Sequence, residues 1–214
     1  MIDRLDGWRA VLYALIFPVW IAGAELQPRD ILQKVEETLN AATAIQVEFE
    51  EIYEWRQTGE KQSLQGELIL KGKNLFRVTT QDQILVSDGV TLWTYSKPSN
   101  RVLIDRVETS NDNTLPQQLF FSYRKDYQVK LIKEEVIAGT PCWVLLFTAE
   151  KKDLYIVEIK VWIEKDKFIP RKIIQTDIGK NKITYILNRI HSDVVTDAST
   201  FQFVVPEGAE VIRL

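Results

Sequence analysis

The 214-residue chain carries one histidine and one cysteine, and these two side chains bound the nucleophilic and metal chemistry open to it. His191 stands beside Ser192 and Asp193, the residue types of a serine-hydrolase relay. Neighbours on an extended segment point to opposite faces, so the three cannot converge, and His191 reads as a solvated residue near a strand end. Cys142 sits beside Trp143 in an apolar run, where a buried inert thiol is expected rather than a nucleophile. Adjacent carboxylates occur at Glu36-Glu37, Glu50-Glu51 and Glu134-Glu135. Such runs mark solvated faces, and none accompanies the signature of a pocket. A lone histidine leaves a His-rich metal site without ligands. The sequence contains no G-x-x-x-x-G-K, no G-x-S-x-G and no dinucleotide fingerprint. The expectation is a protein with no catalytic residues, no metal and no cofactor.

What the chain has in surplus is apolar side chains, 45% of the total with 10% aromatic, enough for one sizeable core. Net charge is -3, and basic residues are scattered among acidic ones, which argues against a nucleic-acid partner and for apolar or neutral ones. Residues 1–24 read as a secretory leader: Arg4 and Arg9, an apolar run over residues 10–21, then Ala22-Gly23-Ala24, with cleavage expected after Ala24. The apolar run is short of the ~20 residues that a spanning anchor needs. With no lipobox cysteine after the leader and no disulfide available, the expectation is a soluble exported monomer, one domain over residues 25–214, held by its core alone.

The elements follow from periodicity. Pro28 and Asp30 open a helix with Ile31, Leu32, Val35, Leu39 and Ala42 at helical spacing. From Ile45 the period becomes two, with Ile45, Val47 and Phe49 on one face. Strands follow at 64–71, 75–80, 84–95 as a hairpin about Asp88-Gly89, and 101–105. A polar loop ending in Thr114 then caps a short apolar helix over 115–121. Strands resume at 127–133, 141–148, 154–164, 168–176 and 182–190, and Phe201-Gln202-Phe203 reads as a final edge strand stopped by Pro206. About ten or eleven antiparallel strands result, a sheet large enough that it must curl or close.

Several strands are greasy on both faces. Residues 142–147 are unbroken, and Tyr155, Val157, Ile159, Val161 and Ile163 are backed by Ile156 and Trp162. Two interiors fit this surplus. One is a two-layer core with helices over one face and another sheet over the other. The other is a single layer curled around an apolar cavity with small helices as plug.

The order of elements resembles the periplasmic outer-membrane lipoprotein carriers, the LolA-like group. The likeness rests on the leader, the first helix, Gly66-Glu67-Leu68-Ile69-Leu70-Lys71 with Asn74-Leu75-Phe76-Arg77, Ser87-Asp88-Gly89 with Leu92-Trp93-Thr94-Tyr95, Leu115-Pro116-Gln117-Gln118-Leu119, Pro170-Arg171 and the tail about Phe201-Gln202-Phe203. The resemblance implies a mainly β (α+β) fold, a curved antiparallel half-barrel with a small helical lid over an apolar cavity. It implies no catalysis. It implies a periplasmic shuttle that takes acylated lipoproteins from an inner-membrane ABC transporter to an outer-membrane receptor. The expected cavity wall is Phe49, Leu68, Leu70, Phe76, Trp93, Tyr95, Trp143, Leu145, Phe147 and Trp162. The expected lid is Ile31, Val35, Leu39, Leu115, Leu119 and Phe120. Each buried methylene is worth ~0.8 kcal/mol, so exposing one long acyl chain to water costs on the order of 12 kcal/mol, which is why a shuttle is needed. Family members carry Arg-Pro just after the strand that here ends at Lys71, and that arginine tethers the lid. This chain has Gly72-Lys73 there, which leaves Lys71, Lys73 and Arg77 as tether candidates and opens two further readings: a carrier or sensor of another lipid on the same fold, or an exported hydrolase.

Overall fold

The structure, a computed structural model, describes residues 26–72, 74–107, 126–151 and 153–214. The leader, the helix expected over 115–121 with Leu115, Leu119 and Phe120, and the tether candidate Lys73 lie outside the described residues.

Helix α1 spans Pro28–Ala41. Proline at its first turn costs no hydrogen bond, and a capping box closes the end, with the Gln27 N–H donating to Asp30 Oδ2 at 3.3 Å. Ile31, Val35 and Leu39 recur every fourth residue and are the buried stripe. Beyond the helix, Thr43 N–H donates to Asp193 Oδ1 at 3.1 Å and Val194 N–H to the Ala44 carbonyl at 3.1 Å. These bonds pin the corner between helix and sheet.

The described strands form one twelve-stranded sheet. A first meander runs β1 (Ile45–Glu54), β2 (Lys61–Lys71), β3 (Leu75–Thr80), β4 (Gln83–Asp88), β5 (Thr91–Ser96) and β6 (Arg101–Arg106). A second runs β7 (Tyr127–Ile137), β8 (Thr140–Ala149), β9 (Ile156–Glu164), β10 (Pro170–Asp177) and β11 (Lys182–Ser192). The two join where β1 pairs antiparallel with β11, from Ile45 opposite Ser192 to Glu54 opposite Lys182. The architecture is the mainly β, open curved sheet anticipated above, with one strand more than the upper expectation.

That extra strand corrects the reading of the tail. Residues Ala198–Phe201 form a 3-10 turn, not a strand, and after a turn at Gly208 the chain enters β12 (Glu210–Arg213), which pairs parallel with β6. Phe201 is buried, and the Tyr95 and Phe203 rings lie 5.9 Å apart, so the segment crosses the outer face of the sheet before it reaches the edge. The two-residue alternation expected over 155–163 is also interrupted. A register shift between Thr176 and Asp177 places Ile156 in the same cluster as Ile159 and leaves Tyr155 exposed.

The Asp88-Gly89 hairpin forms as expected, with Gly89 at φ +95°. Asp88 Oδ1 accepts from Val90 N–H at 3.0 Å and Thr91 N–H at 2.8 Å, while the buried Ser87 hydroxyl donates to the Asn74 carbonyl and accepts from Gly89 N–H. Each residue of the Ser-Asp-Gly triplet thus satisfies a turn group that would otherwise be orphaned.

Candidate functional site

Register decides which side chains share a face, because directly opposed residues in an antiparallel pair point the same way. The α1 stripe belongs to one buried cluster with Ile45, Val47, Leu68, Leu70, Phe76, Leu85, Leu92, Leu145, Phe147, Ile159, Val161, Ile173 and Leu187. The face carrying α1 is called the inner face. Continuous rows cross it. Ile45 opposes Leu70, Leu70 opposes Phe76, Phe76 opposes Ser87 and Ser87 opposes Leu92. On the other half Leu145 opposes Val161, Val161 opposes Ile173 and Ile173 opposes Tyr185.

Of the ten expected wall residues, seven come together here: Leu68, Leu70, Phe76, Leu145 and Phe147 inside the cluster, with Phe49 and Trp143 half-buried against it. Three do not. Trp93 opposes Val86 and Tyr95 opposes Ile84, one residue out of phase with the inward Leu85 and Leu92, so both aromatics sit on the outer face. Trp162 packs with Cys142 and Val144 in a separate outer cluster. Its indole N–H donates to Glu135 Oε2 at 2.9 Å, and Lys172 lies over its ring at 4.9 Å. An indole needs a partner for its N–H when buried, and the outer face supplies one.

Leu85, Ile173 and Leu187 belong to the same inner cluster and were not singled out in the sequence, whereas Leu92 and Val161, named there by motif and by alternation, join them. At β4 and β5 the face is set by the register across the Asp88-Gly89 turn, which pairs Ser87 with Leu92. Once Leu92 is inward, Trp93 must be outward.

Twelve strands at ~4.8 Å spacing make an arc of roughly 53 Å, whereas a helix is only ~10 Å across and α1, at 14 residues, only ~21 Å long. Among the described residues α1 is the one α-helix on this face, and the apolar side chains of the cluster it joins are buried. The helix is held chiefly by its buried stripe of Ile31, Val35 and Leu39. Lys34 Nζ lies 4.7 Å over the Phe168 ring, which tilts against Trp143 at 5.2 Å, an exposed cation–π contact worth ~0.5–1 kcal/mol. A cleft of about 680 Å³ separates the start of α1 from β7, lined by Leu26, Pro28, Val129 and Leu131 among others.

Two of the tether candidates, Arg77 and Lys71, do not face α1. Arg77 opposes Val86 on the outer face and donates to the Thr200 carbonyl at 3.5 Å, holding the C-terminal segment. Lys71 ends β2 exposed, out of phase with the inward Leu70. Neither side chain is directed at α1, and the other expected lid segment lies outside the described residues.

The polar groups offer little chemistry. Cys142 is fully buried, and burial raises its thiol above the ordinary range. His191 is exposed at the end of β11, with Asp193 committed to Thr43 N–H. Tyr127, raised by burial and then by Asp126, donates its hydroxyl to the Ile156 carbonyl at 2.8 Å. Among the described residues no cluster of His, Cys, Asp and Glu has metal-holding geometry, and no helix is long and apolar enough to cross a membrane.

The family model described as "Outer membrane lipoprotein carrier protein LolA" matches residues 40–204. An outer-membrane lipoprotein carrier protein of Actinobacillus pleuropneumoniae is 25% identical over 196 residues, covering 90% of this chain and 88% of that one. An uncharacterized protein of Methanocaldococcus jannaschii is 23% identical over 92% of this chain, which spans only 58% of its length. Among solved structures, an uncharacterized conserved protein from Thermus thermophilus superposes with TM-score 0.61 at 17% identity, over 87% of this chain and 98% of that one, a likeness of fold alone.

Proposed function

The chain belongs to the LolA family of outer membrane lipoprotein carrier proteins, and from that premise we propose that it is a non-enzymatic carrier that shields the acyl chains of lipoproteins on its inner face. Phe49, Leu68, Leu70, Phe76, Trp143, Leu145 and Phe147 supply the wall, and Ile31, Val35 and Leu39 of α1 supply a lid. In this reading the leader is removed after Ala24, and the chain works in the periplasm between an inner-membrane lipoprotein-releasing transporter and an outer-membrane receptor. The observation that carries it is the apolar inner face, on which Leu70, Phe76 and Leu92 on one half of the sheet and Leu145, Val161 and Ile173 on the other line up in register beneath α1. A carrier must release what it binds, so in this reading α1 leaves the inner face as cargo enters, exchanging the buried contacts of Ile31, Val35 and Leu39 for those of the acyl chains. Mass spectrometry of material co-purified from the cell envelope tests the proposal. Acylated lipoprotein is expected, and its absence under conditions where a known carrier retains cargo overturns the assignment.

A second reading, a carrier of free phospholipid or another lipid, is favoured by one observation. Arg77 is spent on Thr200 at the outer face and Gly72 follows Lys71, so the family's lid tether is missing at its usual place. Phospholipid without lipoprotein in the same experiment selects it.

A further inference from the structure

A twelve-stranded open sheet has edges, and unpaired edges attract other strands unless they are covered, charged or bulged. The far side of β6 is covered by β12. The free side of β7 carries a register shift between Leu131 and Lys133 and the charges of Lys130, Lys133, Glu134 and Glu135. A third edge lies inside the sheet. β2 pairs with β1 out to Lys61 opposite Glu54, but its pairing with β3 stops at Gly66 opposite Thr80. Residues 61–65 therefore have β1 on one side and, among the described residues, no strand on the other. All five are exposed. Gln62, Ser63, Leu64 and Gln65 carry no charge, and Lys61 is engaged by Glu54 at 3.1 Å. Among the described residues no strand covers this edge, and its one charged side chain is Lys61 at the end of the strand.

The phase of the ladder fixes what the edge presents. Trp55 N–H donates to the Glu60 carbonyl at 3.0 Å, so Gln62 and Leu64 turn their backbone groups toward β1 while Ser63 turns its N–H and C=O outward. Beside them is a hollow of about 570 Å³ bounded by Gln81, Asp82, Ser96 and Pro98. Its floor is fixed in advance: Lys97 N–H donates to the Asp82 carbonyl at 2.8 Å, and Lys97 Nζ to the carbonyls of Thr80 at 2.8 Å and Gln81 at 2.9 Å. Rigidity of this kind removes part of the ordering cost of binding.

We propose that residues 61–65 of β2 receive an added strand, and that its occupant is the extended, uncharged polypeptide tether that follows the acylated residue of a carried lipoprotein. This rests on the carrier reading above. The edge adjoins the apolar interior, since the next residue along β2, Gly66, opposes Phe49 and lies under its ring. A chain leaving the interior at this rim runs beside Ser63. Strand addition draws on main-chain hydrogen bonds, which suits cargo proteins that differ in sequence beyond the acyl anchor.

The test uses the full chain and three probes presented from detergent micelles: S-dipalmitoylglyceryl-cysteine with a Ser-Gln-Ser-Gly tail, the same lipopeptide with N-methylated tail amides, and dipalmitoylglycerol. Affinities are read by displacement of a fluorescent fatty acid. N-methylation of the tail, and separately Ser63→Pro, are each expected to weaken lipopeptide binding about tenfold, with dipalmitoylglycerol binding unchanged. Equal affinity for the methylated and unmethylated tails on the wild-type chain overturns the proposal without reference to any variant's folding. Failure of all three probes to bind removes the carrier reading and the tether with it. A wild-type dimer that Ser63→Pro dissolves assigns the edge to a second copy of the chain and overturns the tether.

Discussion

The ring of Phe49 rests directly on Gly66: a Cβ built at Gly66 would lie 2.5 Å from Phe49 Cζ and 3.0 Å from the Thr79 carbonyl oxygen. The two residues oppose each other across β1 and β2, and the aromatic occupies the space that the glycine leaves open. Gly66→Ala is expected to displace the ring and cost ~1–3 kcal/mol by overpacking. In a Phe49→Ala background the same substitution should cost much less. Urea unfolding of the two single variants and the double variant measures this coupling, and strict additivity would refute the contact.

The inner and outer aromatics should separate in function. Phe147 is fully buried on the inner face, and Phe147→Ala is expected to lose ~3–5 kcal/mol of stability. Phe49→Ala should lower affinity for a fluorescent fatty acid, whereas Trp93→Ala, on the outer face, should leave it unchanged. Loss of binding in Trp93→Ala with a native circular dichroism spectrum would contradict the face assignment.

Cys142 reports on opening. Its thiol is fully buried and raised above the ordinary range by burial first and the Glu164 charge second. Disulfide reagents at pH 8 are expected to modify it slowly in the native chain and at the rate of a free thiol in urea. Native labelling as fast as denatured labelling would place it at the surface.

An alkaline loss of stability should trace in part to Tyr155. Its hydroxyl donates to Asp177 Oδ2 at 3.1 Å, and this hydrogen bond, with smaller contributions from desolvation and the Asp177 charge, raises it above its ordinary 10.0. A raised folded value favours the protonated form in the native state. The stabilisation is therefore complete below pH 10.0 and is lost as pH rises through the folded value. The fall in urea midpoint between pH 9 and pH 11 should be shallower in Tyr155→Phe than in the wild-type chain.

Most of the sheet was legible because its strands are short-range neighbours with turn chemistry between them. Asp88-Gly89 marked its hairpin, and Ile45, Val47 and Phe49 marked one face of β1 by alternation alone. Face identity at β5 was not legible. Leu92, Trp93 and Tyr95 are all large and apolar, and without the register of Ser87 against Leu92 either phase satisfies the pattern. Trp162 was misplaced for the same reason, since Lys172 and Glu135, which satisfy it on the outer face, come from other strands. The tail misled differently. Phe201 and Phe203 carry strand-like composition but serve as a strap anchored by Arg77, a partner 123 residues away in sequence.

The seam between β1 and β11 binds residue 45 to residue 192, and it is the sole junction between the two meanders among the described strands. Each meander is built of local pairings that close quickly, but the seam requires ends separated by most of the chain to meet, and such distant contacts set the pace of folding. A polypeptide emerging N-terminus first can complete neither the inner face nor the corner that holds α1 until residues 182–194 have appeared. The inner face is therefore completed late, in the single step that closes this seam.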